Sequence, residues 1–215
     1  MKEVHMKKLL LINIAGFASN GQNKSDQLQT MFPDARVLNF TTSGKDPDSL
    51  IDEIIQAMIV YEDYYPILVG SSLGGFYAYI ASSRMDNHAI LINPSLKPWE
   101  TLKPKIGKNK IYGAETTFSL TQDQLDKMEI WFNRQEDVSE NQYLAVFTGS
   151  HDDVIDHTYT DEVIPFPMVR CKMSGYDHQF ADISIIESCI KLMRKESAEY
   201  SAAYSGESEP FDWFD

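Results

Sequence analysis

Ser72 stands at the centre of Gly70-Ser71-Ser72-Leu73-Gly74, with an apolar run at 66–69 before it and an Ala-rich apolar segment after it. Gly-x-Ser-x-Gly between a strand and a helix is the pattern of a nucleophile elbow. The turn is so tight that the positions two residues either side of the nucleophile must lack side chains. That requirement selects Ser72 over Ser71. Its hydroxyl would stand clear of the sheet at a helix N-terminus, where unpaired amides and the helix dipole favour developing negative charge. Small residues also fill ordinary turns between strands and helices, so the pattern needs partners elsewhere in the chain.

A serine hydroxyl is a poor nucleophile near neutral pH. It needs a base, a group to orient that base, and donors for the oxyanion. Sought in strand-following loops and in the order Ser, acid, His, the acid falls in the carboxylate-rich stretch 149–157. Asp152 is the first choice, Asp153 the second and Asp156 the third, and spacing alone does not separate the first two. The base is His178, in Gly175-Tyr176-Asp177-His178-Gln179-Phe180, after the last strand and before the last helix. His5 and His88 lie in or near strands and read as structural, while His151 and His157 flank the acid loop. Backbone N–H groups of Leu73 and Phe17 would form the oxyanion hole, with Gly16 letting the first loop approach the substrate. His151, Asp152, Asp153, Asp156 and His157 also make a compact set of nitrogen and oxygen donors. The set lacks a helical His-Glu-x-x-His pattern or paired cysteines, so neither a metal nor a cofactor is expected.

These groups need a scaffold, and the chain supplies alternating strands and helices with short connections. Strands are expected at 8–14, 35–40, 66–70, 88–92, 142–148 and 167–173. Helices are expected at 25–32, 48–61, 72–85, 122–134 and 180–194. Ile51, Ile54, Ile55 and Met58 recur at helical spacing, with Asp48 or Ser49 as cap. The alternation predicts an α/β fold, an α/β-hydrolase-like mostly parallel sheet flanked by helices, with ligands beyond the carboxyl ends of the strands. Residues 1–195 read as a single domain. Within it, 96–141 is too long for a simple connection and is expected to form a small cap. Its aromatic residues, Trp99, Tyr112, Phe118, Trp131 and Phe132, either line an apolar pocket or anchor the insertion. Trp99 and Trp131 are taken, with Gly16, as substrate-binding. Residues 196–215 read as a flexible acidic tail whose first part can continue the last helix and whose aromatic end can dock on a protein partner.

Composition narrows the classes. The 215 residues carry a formal net charge of −13, which opposes binding to nucleic acid or to anionic membranes. Two cysteines, Cys171 and Cys189, suit buried thiols in a reducing compartment, so a cytoplasmic location is expected. The N-terminal Lys-containing apolar stretch faintly resembles a signal peptide, but Asn13 interrupts it and the same residues make a good first strand. No apolar run approaches the length of a membrane span.

Taken together, Gly70-Ser71-Ser72-Leu73-Gly74-Gly75, Leu91-Ile92-Asn93-Pro94-Ser95 with Lys97-Pro98-Trp99-Glu100, Asp152-Asp153-Val154-Ile155-Asp156, and Gly175 to Phe180 resemble the YqiA/YcfP-like group of small bacterial α/β-hydrolase esterases. The resemblance runs from about 9 to 190. It implies cofactor-free hydrolysis of carboxylic esters or thioesters, with Ser72 as nucleophile, Asp152 as acid and His178 as base. Such proteins usually carry His-Gly-Phe in the first loop, where this chain has Ala15-Gly16-Phe17, and a glycine directly before the acid, where it has His151. The rival expectation is a non-catalytic adaptor on a hydrolase scaffold, docking through the tail.

Overall fold

A computed structural model describes residues 7–135 and 143–204, with side chains as far as 195. His5 and the end of the acidic tail, 205–215, lie outside the described residues. The first half alternates β1 (Lys8–Ile14), α1 (Gln22–Met31), β2 (Arg36–Phe40), α2 (Pro47–Val60), β3 (Tyr64–Ser71), α3 (Leu73–Met85) and β4 (His88–Ile92). There follow α4 (Pro98–Thr101), a 3₁₀ turn (Lys103–Lys105), an antiparallel hairpin of β5 (Gly107–Lys110) and β6 (Thr117–Leu120), and α5 (Gln122–Asn133). The chain returns through β7 (Leu144–His151), α6 (Thr158–Val163), β8 (Val169–Asp177), a second 3₁₀ turn (Ser184–Ile186) and α7 (Glu187–Tyr204).

Six strands form one sheet in the order β2-β1-β3-β4-β7-β8, with every neighbouring pair parallel. Parallel strands covered on both faces read as continuous apolar runs, because alternate side chains enter two separate cores. Leu10, Ile12 and Ile14 of β1 join Leu68, Leu91 and Val146 in a core under α2 and α3. Leu9 and Leu11 join Val69, Ile90 and Phe147 in a second core, closed by Ile186, Ile190 and Met193. Helix α3 is buried on all sides from Leu73 to Ser82. It lies between the sheet and the segment that follows β4. Asn13, the polar interruption in β1, is buried and spans to the neighbouring strand, donating to Asn39 Oδ1 at 2.7 Å and to the Gly21 carbonyl at 3.1 Å.

Several boundaries differ from expectation: α1 begins at Gln22, β3 spans Tyr64–Ser71 and β7 ends at His151, and three further differences bear on the elements around the site. Helix α2 is capped by Asp46 rather than Asp48 or Ser49, its carboxylate accepting from the amides of both. Pro47, whose φ is already helical and whose missing N–H costs nothing at N1, starts the helix one residue early. Strand β8 runs to Asp177, past the expected end, through an irregular pairing of His151 with Asp177. Helix α7 begins at Glu187 instead of 180: Phe180 has φ 46°, which a right-handed helix excludes, and the 3₁₀ turn at Ser184–Ile186 leads into the helix.

The segment after β4 is fastened at two places. The hairpin meets the loop after β1, with the Tyr112 amide donating to Ala18 O at 2.8 Å and the Phe118 ring edge-on to Phe17 at 5.3 Å. Helix α5 opens on a capping box between Thr121 and Gln124. It is tied to α2 by Lys127, which pairs with Asp46 and Asp48.

Candidate active site

The elbow is built from backbone contacts. Ser72 has φ 54° and ψ −119°, a conformation a non-glycine residue holds only when its surroundings enforce it. They do so through three bonds: the Ser72 amide donates to Ile92 O at 2.9 Å, and Ser72 O accepts from Gly75 N at 2.9 Å and from Ser95 N at 3.0 Å. A Cβ on Gly70 would lie 2.3 Å from Gly74 O, and one on Gly74 only 2.0 Å from Ile14 O. Both flanking positions therefore need glycine for the reason the sequence suggests. Ser71 is buried at 7% exposure, whereas Ser72 is open enough to be met from outside.

Two distant loops meet the hydroxyl. His178 Nε2 lies 3.1 Å from Ser72 Oγ, and His178 Nδ1 lies 3.0 and 2.9 Å from the two oxygens of Asp152. An ionised carboxylate only accepts, so Nδ1 carries the proton and Nε2 presents its lone pair to the serine O–H. The Asp152 side chain is fully buried. Burial pushes its carboxyl upward, but hydrogen bonds from His178 and from the Val154 and Ile155 amides outweigh this and hold it below the usual carboxylate range. Asp153 and Asp156 are exposed, and Asp156 accepts from the Thr158 amide at 3.0 Å.

The first loop closes the other side of Ser72. A Cβ on Gly16 would sit 3.2 Å from Ser72 Cβ and 3.8 Å from Ser72 Oγ. The Gly16–Phe17 peptide therefore runs alongside the hydroxyl. Gly16 O is held by Ser19 N and Thr42 Oγ1, each at 3.2 Å. Leu73 opens α3, where an amide has no acceptor within the helix.

The two tryptophans are both packed. Trp99 is 8% exposed and meets Phe76 of α3 at 6.4 Å and Phe132 of α5 at 5.1 Å. Trp131, also 8% exposed, donates its indole N–H to Asp48 at 2.6 Å and carries the Arg84 guanidinium 4.0 Å from its ring centroid. These contacts fasten α4 and α5 to α2 and α3. Among the other histidines, His151 is exposed at the end of β7. His88 is buried in β4 against the Tyr65 hydroxyl, and burial lowers its titration to about 4. His157 turns inward and contacts Asp152. Among the described residues, no group of three or more His, Cys, Asp or Glu side chains is arranged to hold a metal ion.

Sequence reasoning missed the residues that hold the His178 and Asp152 loops together. Asn93 is fully buried at φ 44°. Its side chain donates to Asp177 O at 2.9 Å and His178 O at 3.2 Å, and accepts from Gly149 N at 2.7 Å. The signal was an asparagine before proline at the end of an apolar strand, which by itself reads only as a stop. Helix α1 supplies a second tether. Lys24 Nζ donates to Gln179 O and Gln27 Nε2 to Ala181 O, both at 2.7 Å. Burial pulls the Lys24 ammonium down to about 8, opposed by the Asp177 charge.

Solved structures place this architecture in the α/β-hydrolase fold. The chain superimposes on the esterase domain of a Rhodothermus marinus protein with a TM-score of 0.65 at 14% identity, covering 89% of each chain. Est1E from Butyrivibrio proteoclasticus gives 0.61 at 13%, covering 94% of this chain and 91% of that one. A monoacylglycerol lipase from Paleococcus ferrophilus gives 0.60 at 13%, over 90% and 96%. Within that fold, the model of an uncharacterised protein family, UPF0227, matches residues 10–193, and the chain belongs to this family. Curated relatives named UPF0227 protein YcfP, from Escherichia coli strain K12/DH10B and Shigella boydii serotype 18, are 28% identical over 117 residues. That match covers 52% of this chain and 65% of each relative. Among the described residues, no helix is long and apolar enough to cross a membrane.

Proposed function

We propose that this protein is a serine esterase that hydrolyses carboxylic esters or thioesters through an acyl-enzyme. Ser72 Oγ attacks the carbonyl carbon while His178 Nε2 takes its proton, and Asp152 holds the imidazole and stabilises the imidazolium. The tetrahedral oxyanion is received by the amides of Leu73 and Phe17, each donor worth about 3 kcal/mol of barrier. Collapse breaks the bond to the leaving alkoxide or thiolate, which takes the proton from His178. Water, deprotonated by the same nitrogen, then releases the acid and restores Ser72.

The observation that carries this reading is the unbroken chain of hydrogen bonds from Ser72 through His178 to Asp152. The kinship with esterases and a lipase favours an ester carbonyl as the reacting group. The segment from 96 onward is proposed as the cap over this site, since its hairpin rests on the Phe17 loop. Cys171 and Cys189 form no disulfide, which fits the cytoplasmic location we propose.

The test is turnover of p-nitrophenyl esters of graded acyl length by the wild type and S72A, with fluorophosphonate labelling mapped by mass spectrometry. Turnover lost in S72A, with the label on Ser72, is the expected result. A folded wild type that neither turns over nor takes the label overturns the proposal.

A further inference from the structure

Asp152 serves two imidazoles. Besides His178, His157 places its Nε2 3.0 Å from Asp152 Oδ2, with 16% of the His157 side chain exposed. The second ring nitrogen, Nδ1, is buried and meets no hydrogen-bond partner among the described residues. Since the carboxylate can only accept, the proton on His157 sits at Nε2 and the buried Nδ1 is bare. A charged His157 would leave an N–H buried and unsatisfied at that position. Burial pulls its titration below the ordinary histidine range, against the raising effect of Asp152.

We propose that His157 is a positioning residue for the catalytic pair: its neutral Nε2–H donates to Asp152, fixes the plane of the carboxylate and tempers its charge, and thereby sets the basicity of His178. The inference rests on the esterase reading for its kinetic consequence but not for the coupling itself. Oδ1 is already held by the Val154 and Ile155 amides at 2.9 and 3.0 Å. The amides thus fix one oxygen and His157 the other, which keeps both within reach of His178 Nδ1. Each donor withdraws negative charge from the carboxylate, so the imidazolium formed at His178 is stabilised less than by a bare aspartate. The other charged groups facing the pair are Asp156 and Asp161 beside His157, and Asp177 beside His178 with Lys24 across from it. None of them bonds the Asp152 carboxylate.

The experiment follows the His178 Cε1–H resonance, assigned as the signal missing from H178A, through a pH titration of the wild type, H157L and H157Q. Leucine removes the donor, whereas glutamine can replace the Nε2–H with an amide N–H. The expected result is a His178 midpoint raised by roughly half to one pH unit in H157L and returned toward wild type in H157Q. The acid limb of kcat/KM for p-nitrophenyl acetate should move with it. An unchanged midpoint in folded H157L overturns the proposal. Should H157L fail to fold, nitrogen-15 shifts of the wild type decide: His157 must be the Nε2–H tautomer, and an Nδ1–H tautomer overturns it. The midpoints need no turnover, so absent ester hydrolysis would sink the esterase reading alone, and unchanged midpoints with full turnover would sink the coupling alone.

Discussion

The two sides of the candidate site are made in different ways. The Ser72 side is local: β3, the elbow and α3 are consecutive, and their fit is set by backbone against backbone at Gly70, Gly74 and Ile14. The His178–Asp152 side is assembled from a distance. His178 reaches Ser72 across 106 residues and Asp152 across 26, while Asn93 spans 84 to fix Asp177. Steric exclusion holds one side and side-chain hydrogen bonds hold the other. The first kind of construction fails abruptly when touched, and the second loosens by degrees.

Gly74→Ala tests the first half of that contrast and should have the largest effect. A methyl group 2.0 Å from Ile14 O meets backbone, which cannot swing aside. Loss of at least about 3 kcal/mol, or of soluble protein altogether, is expected in urea denaturation. A variant as stable as wild type would show that the elbow is less constrained than its contacts indicate.

Strand β4 lies between the two sides, and His88 makes its stability depend on pH. Its folded titration near 4 lies below the ordinary 6.5 because burial disfavours the charged ring. Above pH 6.5 neither folded nor unfolded chain holds the proton, and the contribution of the group is complete. As pH falls from 6.5 toward 4, the unfolded chain takes up a proton that the folded one refuses. Through this group stability should therefore drop by about 1.4 kcal/mol per pH unit, about 3 kcal/mol in all, and the His88 contribution then levels off. Denaturation midpoints measured across this window should fall in the wild type and fall less in H88Q.

Asn93→Ala probes the second half. It removes three hydrogen bonds at once, one buried and two partly buried. A cost of about 2 kcal/mol is expected. Loosening of the His178 loop should lower kcat/KM by about ten- to a hundredfold, since small misplacements of a catalytic group are expensive. The diagnostic feature is that turnover falls in protein that stays folded, because a loss of about 2 kcal/mol leaves the folded population of an ordinary domain intact. Small losses in both would mean that the loop is held elsewhere, with the Lys24 and Gln27 tethers from α1 the first place to look.

The same contrast explains what could be read from the sequence. The edges of β1 and β4, the glycine pattern and Ser72 itself depend on residues near one another in the chain, where periodicity and turn chemistry are informative. Asp152 and Asp153 are adjacent on one loop, and only the position of His178 distinguishes them. Asn93 resembled a strand stop and His157 a loop histidine, because each acts through a partner that spacing cannot reveal. Asp46 is hidden as a cap because the apolar periodicity of α2 begins only after Asp48, although Pro47 marks the start. The hairpin of β5 and β6 was hidden for another reason. Gly107–Lys110 is polar and carries no apolar alternation, and its place is fixed by contacts with the first loop.

Trp131 offers the smallest and most discriminating change. As a pocket residue it would touch substrate. As packed here it joins α5 to Asp48 and Arg84. Trp131→Phe keeps an aromatic ring but not the full volume, and removes the donation to Asp48, at a cost of about 1 to 2 kcal/mol. If the indole is an anchor, KM for each ester in the acyl series should stay within about twofold of wild type, because a conservative change at an anchor is absorbed as lost stability. A KM that rises several-fold, and more for longer acyl chains, would place Trp131 in the acyl pocket. The cap would then belong to the site as a binding surface as well as a cover, and the distant side of the site would include residues that recognise substrate beside those that hold the base.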